Sequence, residues 1–245
     1  MSPFGRPLSD GDRLEVAGAV VTLKINRRAR RVSLRLDRTR REIVATAPSA
    51  RRLQEAAAFA RERASWIAER LAELPTAAPI HPGMTLEVFG EPVRLEAGSG
   101  RARWIEAADG EPHRITAMGE GEGYARAAIL LIRRRALAVL TERTAHYAAR
   151  LGAPMPKVTI TDTKSRWGSC RPGPRGTAGS IRYSWRLALA PFEVADYVAA
   201  HECAHLLELN HGPKFWAHVK ALVGDERRHR AWLRAEGARL HAFGR

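Results

Sequence analysis

The chain has 245 residues, 45% of them hydrophobic, enough to bury a core over one or two domains without a disulfide or structural metal. Two cysteines, Cys170 and Cys203, are too few for a secreted disulfide framework; the N-terminus has no signal-peptide core, and the longest apolar run, AAILLI at 127–132, is far too short for a membrane span, so a cytoplasmic protein with no membrane partner is expected. The net charge of +15 suits a polyanionic partner, yet only five basic residues are lysine, and so strong an arginine bias also follows from coding preference.

Residues 19–48 alternate as strands do, in VVTLKIN, RVSLRLD and EIVATAP with the turn-like DRTRR between the last two. This pattern predicts an antiparallel hairpin or meander, with Val32, Leu34 and Leu36 on one face. Between Lys24 and Arg41 there are nine basic residues and one acidic residue, Asp37, so the outer face is a candidate nucleic-acid surface or simply a solvated one. A helix is expected over 50–74, with Ser49 as N-cap and Trp66 in a core, ended by LPTAAPIHPG. Short strands follow at 84–118, in MTLEVFG, PVRLEA, RWIEA and HRITA. GEGEG at 119–123 lacks the strand and helix context of a phosphate loop and reads as a linker, which places the domain boundary there. No internal repeat is evident.

A long helix is expected from 124 to Gly152, then strands at 157–162 and 180–190, then a helix starting at Pro191, a good first-turn residue, with Glu193 placed favourably against its dipole. That last helix is expected to run through FEVADYVAAHECAHLLEL, to Leu209, so that HECAHLLELNHGPKFW, residues 201–216, covers its second half and its end. His201 and His205 lie one turn apart on one face, so both imidazoles can reach one ion. Glu202 beside them is placed to take a proton from a metal-activated water. Three candidates exist for a third ligand. Glu208 on an unbroken helix is displaced from His201 by about 10 Å, against zinc bonds of about 2 Å. Glu226 or Glu236 from a later helix is the second option. His211 fits best, because Asn210 can adopt a left-handed cap and Gly212 with Pro213 stops the helix. Cys203 sits roughly 200° around the helix from His201 and reads as a buried core thiol.

SRWGSC at 165–170, SIRYSWRLALAPFEVADYVAAHECAHLLELNHGPKFW at 180–216, RRARRVSLRL, ASWIAERL and GMTLEVFGEPVRL together resemble the YgjP-like metallopeptidases, relatives of the SprT-type zinc proteases. The resemblance implies a zincin-type domain holding one Zn²⁺, with His201, His205 and His211 at the metal-ligand positions and Glu202 as general base. It also implies that the strand at 180–187 edges a cleft to which an extended peptide adds, and that Trp185, Phe215 and Trp216 pack around the site. Arg166, Trp167 and Ser169 match the family's loop, while RPGPRGTAGS departs from its usual connection. The spacing of the histidines equals that of metzincins, but Glu208 stands where those place a glycine.

The expectation is therefore an α+β protein: a β-rich antiparallel region with a helix over 1–121, then a zincin-like domain with an active-site helix over 122–245. The function read from it is a zinc metallopeptidase acting on protein or peptide, with Tyr183, Arg182, Tyr197 and His218 as candidate oxyanion or substrate contacts. Two other readings stand beside it. One is a nucleic-acid-associated protein using the basic N-terminal sheet, a link that SprT-type relatives suggest by analogy; the other is an interaction module with structural zinc, in which Cys170 is a possible fourth or gating ligand.

Overall fold

The computed structural model describes residues 6–37, 42–73, 79–163 and 166–244. The chain forms two compact units, residues 1–76 and 77–245. In the first, β1 (Arg13–Val16), β2 (Ala19–Ile25), β3 (Ser33–Asp37) and β4 (Glu42–Ala47) make one sheet in the order β1-β2-β4-β3. The outer pairs are antiparallel as expected, but β2 and β4 are parallel, with Val21 opposite Ile43. The chain leaving β2 passes to the far edge as β3 before returning between them, a choice that depends on contacts distant in sequence. The DRTRR turn lies largely outside the described residues.

Behind this sheet pack α1 (Leu53–Glu62) and α2 (Ala64–Ala72), preceded by a 3-10 turn at Ala50–Arg52. The expected single helix is thus broken at Arg63, whose φ of −100° and ψ of 23° leave the helical region. Leu14, Val21, Leu23, Ile43, Leu53 and Ile67 are buried between the layers, whereas Trp66 is only half-buried.

The second unit opens with β5 (Thr85–Val88), β6 (Glu91–Ala97), β7 (Arg103–Ile105) and β8 (His113–Ala117), in the order β5-β6-β8-β7 and again with a parallel middle pair. The two sheets therefore repeat one plan. A sequence trace accompanies it: Leu14, Val16 and Gly18 in LEVAG correspond to Leu86, Val88 and Gly90 in LEVFG. In both hairpins the Leu and Val point inward, and both turn residues have positive φ (52° and 73° at Ala17 and Gly18; 55° and 82° at Phe89 and Gly90), the backbone of a tight hairpin turn. The repeat is too short and diverged to stand out as a period, which is why the chain reads as having none.

The helix α3 (Gly121–Arg150) begins inside GEGEG, with Glu120 as its N-cap. Its Tyr124, Ala128 and Ile132 share one core with Leu95 and Ile115 of the sheet, and Tyr124 donates from its hydroxyl to Glu96 O at 3.2 Å. The division expected at 121/122 accordingly falls inside the second unit.

Next come β9 (Lys157–Thr161), β10 (Gly168–Arg171) and β11 (Ser180–Ser184), ordered β10-β11-β9. The strand expected through 190 gives way to a 3-10 turn at Trp185–Leu189. Because β11 is the middle strand, the segment 180–187 is not a sheet edge; β10 and β9 are the edge strands, each unpaired on its outer side among the described residues, and β10 is the one packed against α4. The helices α4 (Phe192–Ala204), α5 (Pro213–Val223) and α6 (Arg227–Ala242) complete the unit, and α4 packs between α3 and β10. The α+β reading holds, and no helix among the described residues is long and apolar enough to cross a membrane.

Candidate metal centre

Helix α4 is anchored by Ala199, Ala200, Cys203 and Ala204, all fully buried, while His201 and His205 emerge half-buried from its other face. The helix expected to run through Leu209 ends five residues earlier. Ala204 is its last residue and His205 its C-cap; the amides of Leu206 and Leu207 then turn back to Cys203 O and Ala204 O at 2.9 and 3.1 Å. Asn210 does not take the left-handed conformation expected of it. Its carbonyl instead accepts from the Gly212 amide at 2.7 Å, and Pro213 starts α5 immediately afterwards.

This reversal brings the three imidazoles together. Their ring centroids lie 5.0 Å (His201–His205), 5.0 Å (His201–His211) and 4.7 Å (His205–His211) apart, and one nitrogen from each falls within 4.8 Å of the others. The Nε2 atoms of His201 and His211 face each other at 3.1 Å. His205 Nδ1 donates to Glu208 O at 2.9 Å, which leaves its Nε2 free to bind, while Tyr197 holds its hydroxyl 3.4 Å from His201 Nδ1; such partners orient metal-binding imidazoles. Fully buried Phe215 forms the floor, 4.8, 4.5 and 4.7 Å from the three rings.

Burial favours the neutral form of His201 and His205. Burial pushes the pKa of His201 down to about 3, helped by charge at His205, His211 and Arg230, and burial lowers that of His205 as well. Three imidazole nitrogens converging on one point suit zinc, which accepts three imidazoles and leaves a fourth position open.

Glu202 is 6% exposed and makes no hydrogen bond or ion pair with any described residue. Burial raises its pKa to about 7. Its side chain lies against the backbone of β10: a Cβ on Gly168 would stand 2.5 Å from Glu202 Oε1 and 2.6 Å from its Cγ. Only glycine leaves room there for the carboxylate.

The remaining sequence candidates separate. Tyr183 is fully buried, with its hydroxyl 2.9 Å from Thr144 Oγ1. Arg182 is exposed on β11, and Tyr197 stacks on His229 at 5.6 Å. His218 is half-buried on α5, outside the histidine cluster. Cys170 is not part of that cluster either; burial, with Glu202 nearby, pushes its thiol up to about 12. Cys203 is buried against Thr144 O. Glu208 contributes only its carbonyl, Glu226 lies 3.6 Å from Arg230 and Glu236 lies 2.8 Å from Arg239. Trp216 packs near His201 and His211, but Trp185 packs against Phe243 instead.

Residues 30–236 match the family described as YgjP-like, metallopeptidase domain. The chain belongs to that family. No curated protein and no solved structure matches it. In this YgjP-like chain the residues that sequence reasoning missed are Gly168, whose role needs the β10–α4 approach to be seen, and Arg230, whose charge reaches both His201 and Tyr197. The glycine in SRWGSC was visible as a residue type, but nothing local connects it to a glutamate 34 positions later.

Proposed function

We propose that this metallopeptidase-family chain is a zinc-dependent peptidase in which His201, His205 and His211 hold the ion and Glu202 is the general base. One observation carries the reading: a buried carboxylate with no partner among the described residues adjoins, in sequence, a ligand of a three-imidazole cluster, at a cost in stability that folding alone does not repay. When bound, zinc would polarise a water molecule and the scissile carbonyl. Glu202 accepts the proton of the attacking water on its carboxylate and returns it to the leaving amine nitrogen. Its raised pKa suits both transfers. Tyr197 and the Glu208 carbonyl hold two of the imidazoles in place, and Phe215 closes the floor beneath them. The free edge of β10 is where an extended substrate adds as a further strand, which sets its backbone beside Glu202. Three nitrogen donors also differ from the four closed ligands usual in structural zinc sites.

Metal analysis with a protease assay tests this. The purified chain is expected to carry about one zinc and to degrade unfolded casein, losing activity on chelation and regaining it with Zn²⁺; casein left intact by the zinc-loaded protein rules the reading out.

A second reading attaches to the first unit. A cavity of about 450 Å³ is lined by Arg31, Arg63, Phe59 and Trp66 beside Ser33 and Leu34 of edge strand β3, and the Arg63 guanidinium lies 5.5 Å from the Phe59 ring centre. Aromatic faces between cations suit the stacked bases of single-stranded nucleic acid. Oligothymidylate binding is expected to weaken steeply with salt and to fall by about ten-fold or more in Trp66→Ala; salt-insensitive or absent binding leaves the charge as composition only.

A further inference from the structure

We propose that the outer face of β10 and β11 carries an oxyanion subsite that makes substrates with an acidic side chain near the cleaved bond preferred. This rests on the peptidase reading above. The subsite is a polar cavity of about 300 Å³ lined by Arg166, Ser169, Cys170, Arg171, Ser180 and Arg182.

Strand geometry decides which way these residues point. A Cβ on Gly168 would run into Glu202, so Gly168 presents the α4 side of the sheet. Side chains alternate along a strand, which puts Ser169 and Arg171 on the opposite side. Across the pair, Ser169 stands opposite Arg182 and Arg171 opposite Ser180, while Ile181 and Tyr183, the alternate residues of β11, are fully buried. Two guanidinium groups and two hydroxyls are thereby gathered on one patch, and Arg166 adds a third cation at its rim.

None of these three arginines has a hydrogen-bond or ion-pair partner for its side chain among the described residues. Arg143, by contrast, is held by Asp196 at 2.7 Å and Arg150 by the carbonyls of Ala221 and Leu222 at 2.9 and 3.0 Å; what sets the three apart is that they line one cavity. Three like charges turned into one cavity repel each other, and a bound oxyanion relieves that repulsion. Guanidinium forks match the two oxygens of a carboxylate, and the serine hydroxyls supply further donors. The lining has no large apolar side chain to hold a hydrophobic group.

The position of the cavity sets what it reads. A peptide laid along the free edge of β10 has its backbone beside Glu202 at the Gly168 end. Arg171 is three residues further along, about 10 Å at the usual strand rise. The side chain reaching the cavity is then one within about three residues of the scissile bond, and a glutamate or aspartate there meets the arginines.

The test uses paired unstructured decapeptide mixtures that carry either Glu or Gln at one fixed position, with cleavage sites read by mass spectrometry. In a separate arm, binding of the same mixtures to zinc-loaded Glu202→Gln protein is measured at low and high salt. Wild type is expected to cleave the Glu set about ten-fold better through KM, in the range of charge-assisted hydrogen bonds. Arg166→Gln with Arg171→Gln is expected to erase that preference, to leave cleavage of the Gln set unchanged and to retain full zinc content. Equal cleavage of both sets by wild type overturns the subsite and leaves the peptidase reading standing. Salt-sensitive, arginine-dependent binding of the Glu set with no cleavage of either set keeps an oxyanion site and overturns the peptidase reading.

Discussion

Glu202→Gln is expected to retain zinc and lose hydrolysis by about 10²- to 10⁴-fold, the range that general acid–base catalysis contributes. The substitution is nearly isosteric, so the histidine cluster and the contact with Gly168 persist while the proton acceptor disappears. The same variant reads out the cost of the buried charge. With a folded pKa of about 7 against an ordinary 4.5, the carboxylate binds more protons in the folded chain than in the unfolded one between those values. Its contribution to stability is therefore full below pH 4.5 and is lost as pH rises through 7, a difference on the order of 3 kcal/mol. In chelated protein, the stability of Glu202→Gln relative to wild type should accordingly grow between pH 5 and pH 8 in denaturant titrations. Unchanged hydrolysis, or a stability difference that is flat with pH, would contradict the role given to this carboxylate.

Gly168→Ala is expected to lower hydrolysis by about 10²-fold while leaving zinc content near wild type. A methyl group cannot stand 2.5 Å from Glu202 Oε1; the carboxylate or the strand must move by the order of an ångström, a displacement that costs about this much in catalysis. Kinetics and metal analysis on the same preparation check it. Zinc loss in parallel with activity would show that the strand supports the histidines and not the base. Combined with Glu202→Gln, the glycine change should cost little more, since both act on one group.

Much of the centre was legible because it is local. His201, Glu202, His205 and His211 lie within eleven residues of one another; NHGP could be read from residue type as a break before the next helix, but the end of α4 itself, at Ala204, comes before it and carried no such signal. The α+β class was likewise visible in alternation and helical spacing. What stayed hidden depends on pairing between distant segments. The parallel contacts β2–β4 and β6–β8 leave no mark in either strand by itself. Strand β10 is four residues long and contains a glycine, so alternation could not reveal it, and with it went the sheet edge beside α4, the Gly168 contact and the arginine cavity. The resemblance put Phe215 near the site, but that it lies under all three imidazoles is seen only in the fold.

The compactness of the ligand segment has a thermodynamic consequence. A metal held by residues 201, 205 and 211 would close only a short loop of chain, and loop-closure entropy grows slowly from a small base. Zinc held there would tie together no remote parts of the polypeptide, so its stabilising effect would come from preferential binding to the folded form and scale with free metal concentration. Chelation should lower the melting temperature only by what that mass action supplies, leaving a folded apoprotein that can be reloaded with other divalent ions.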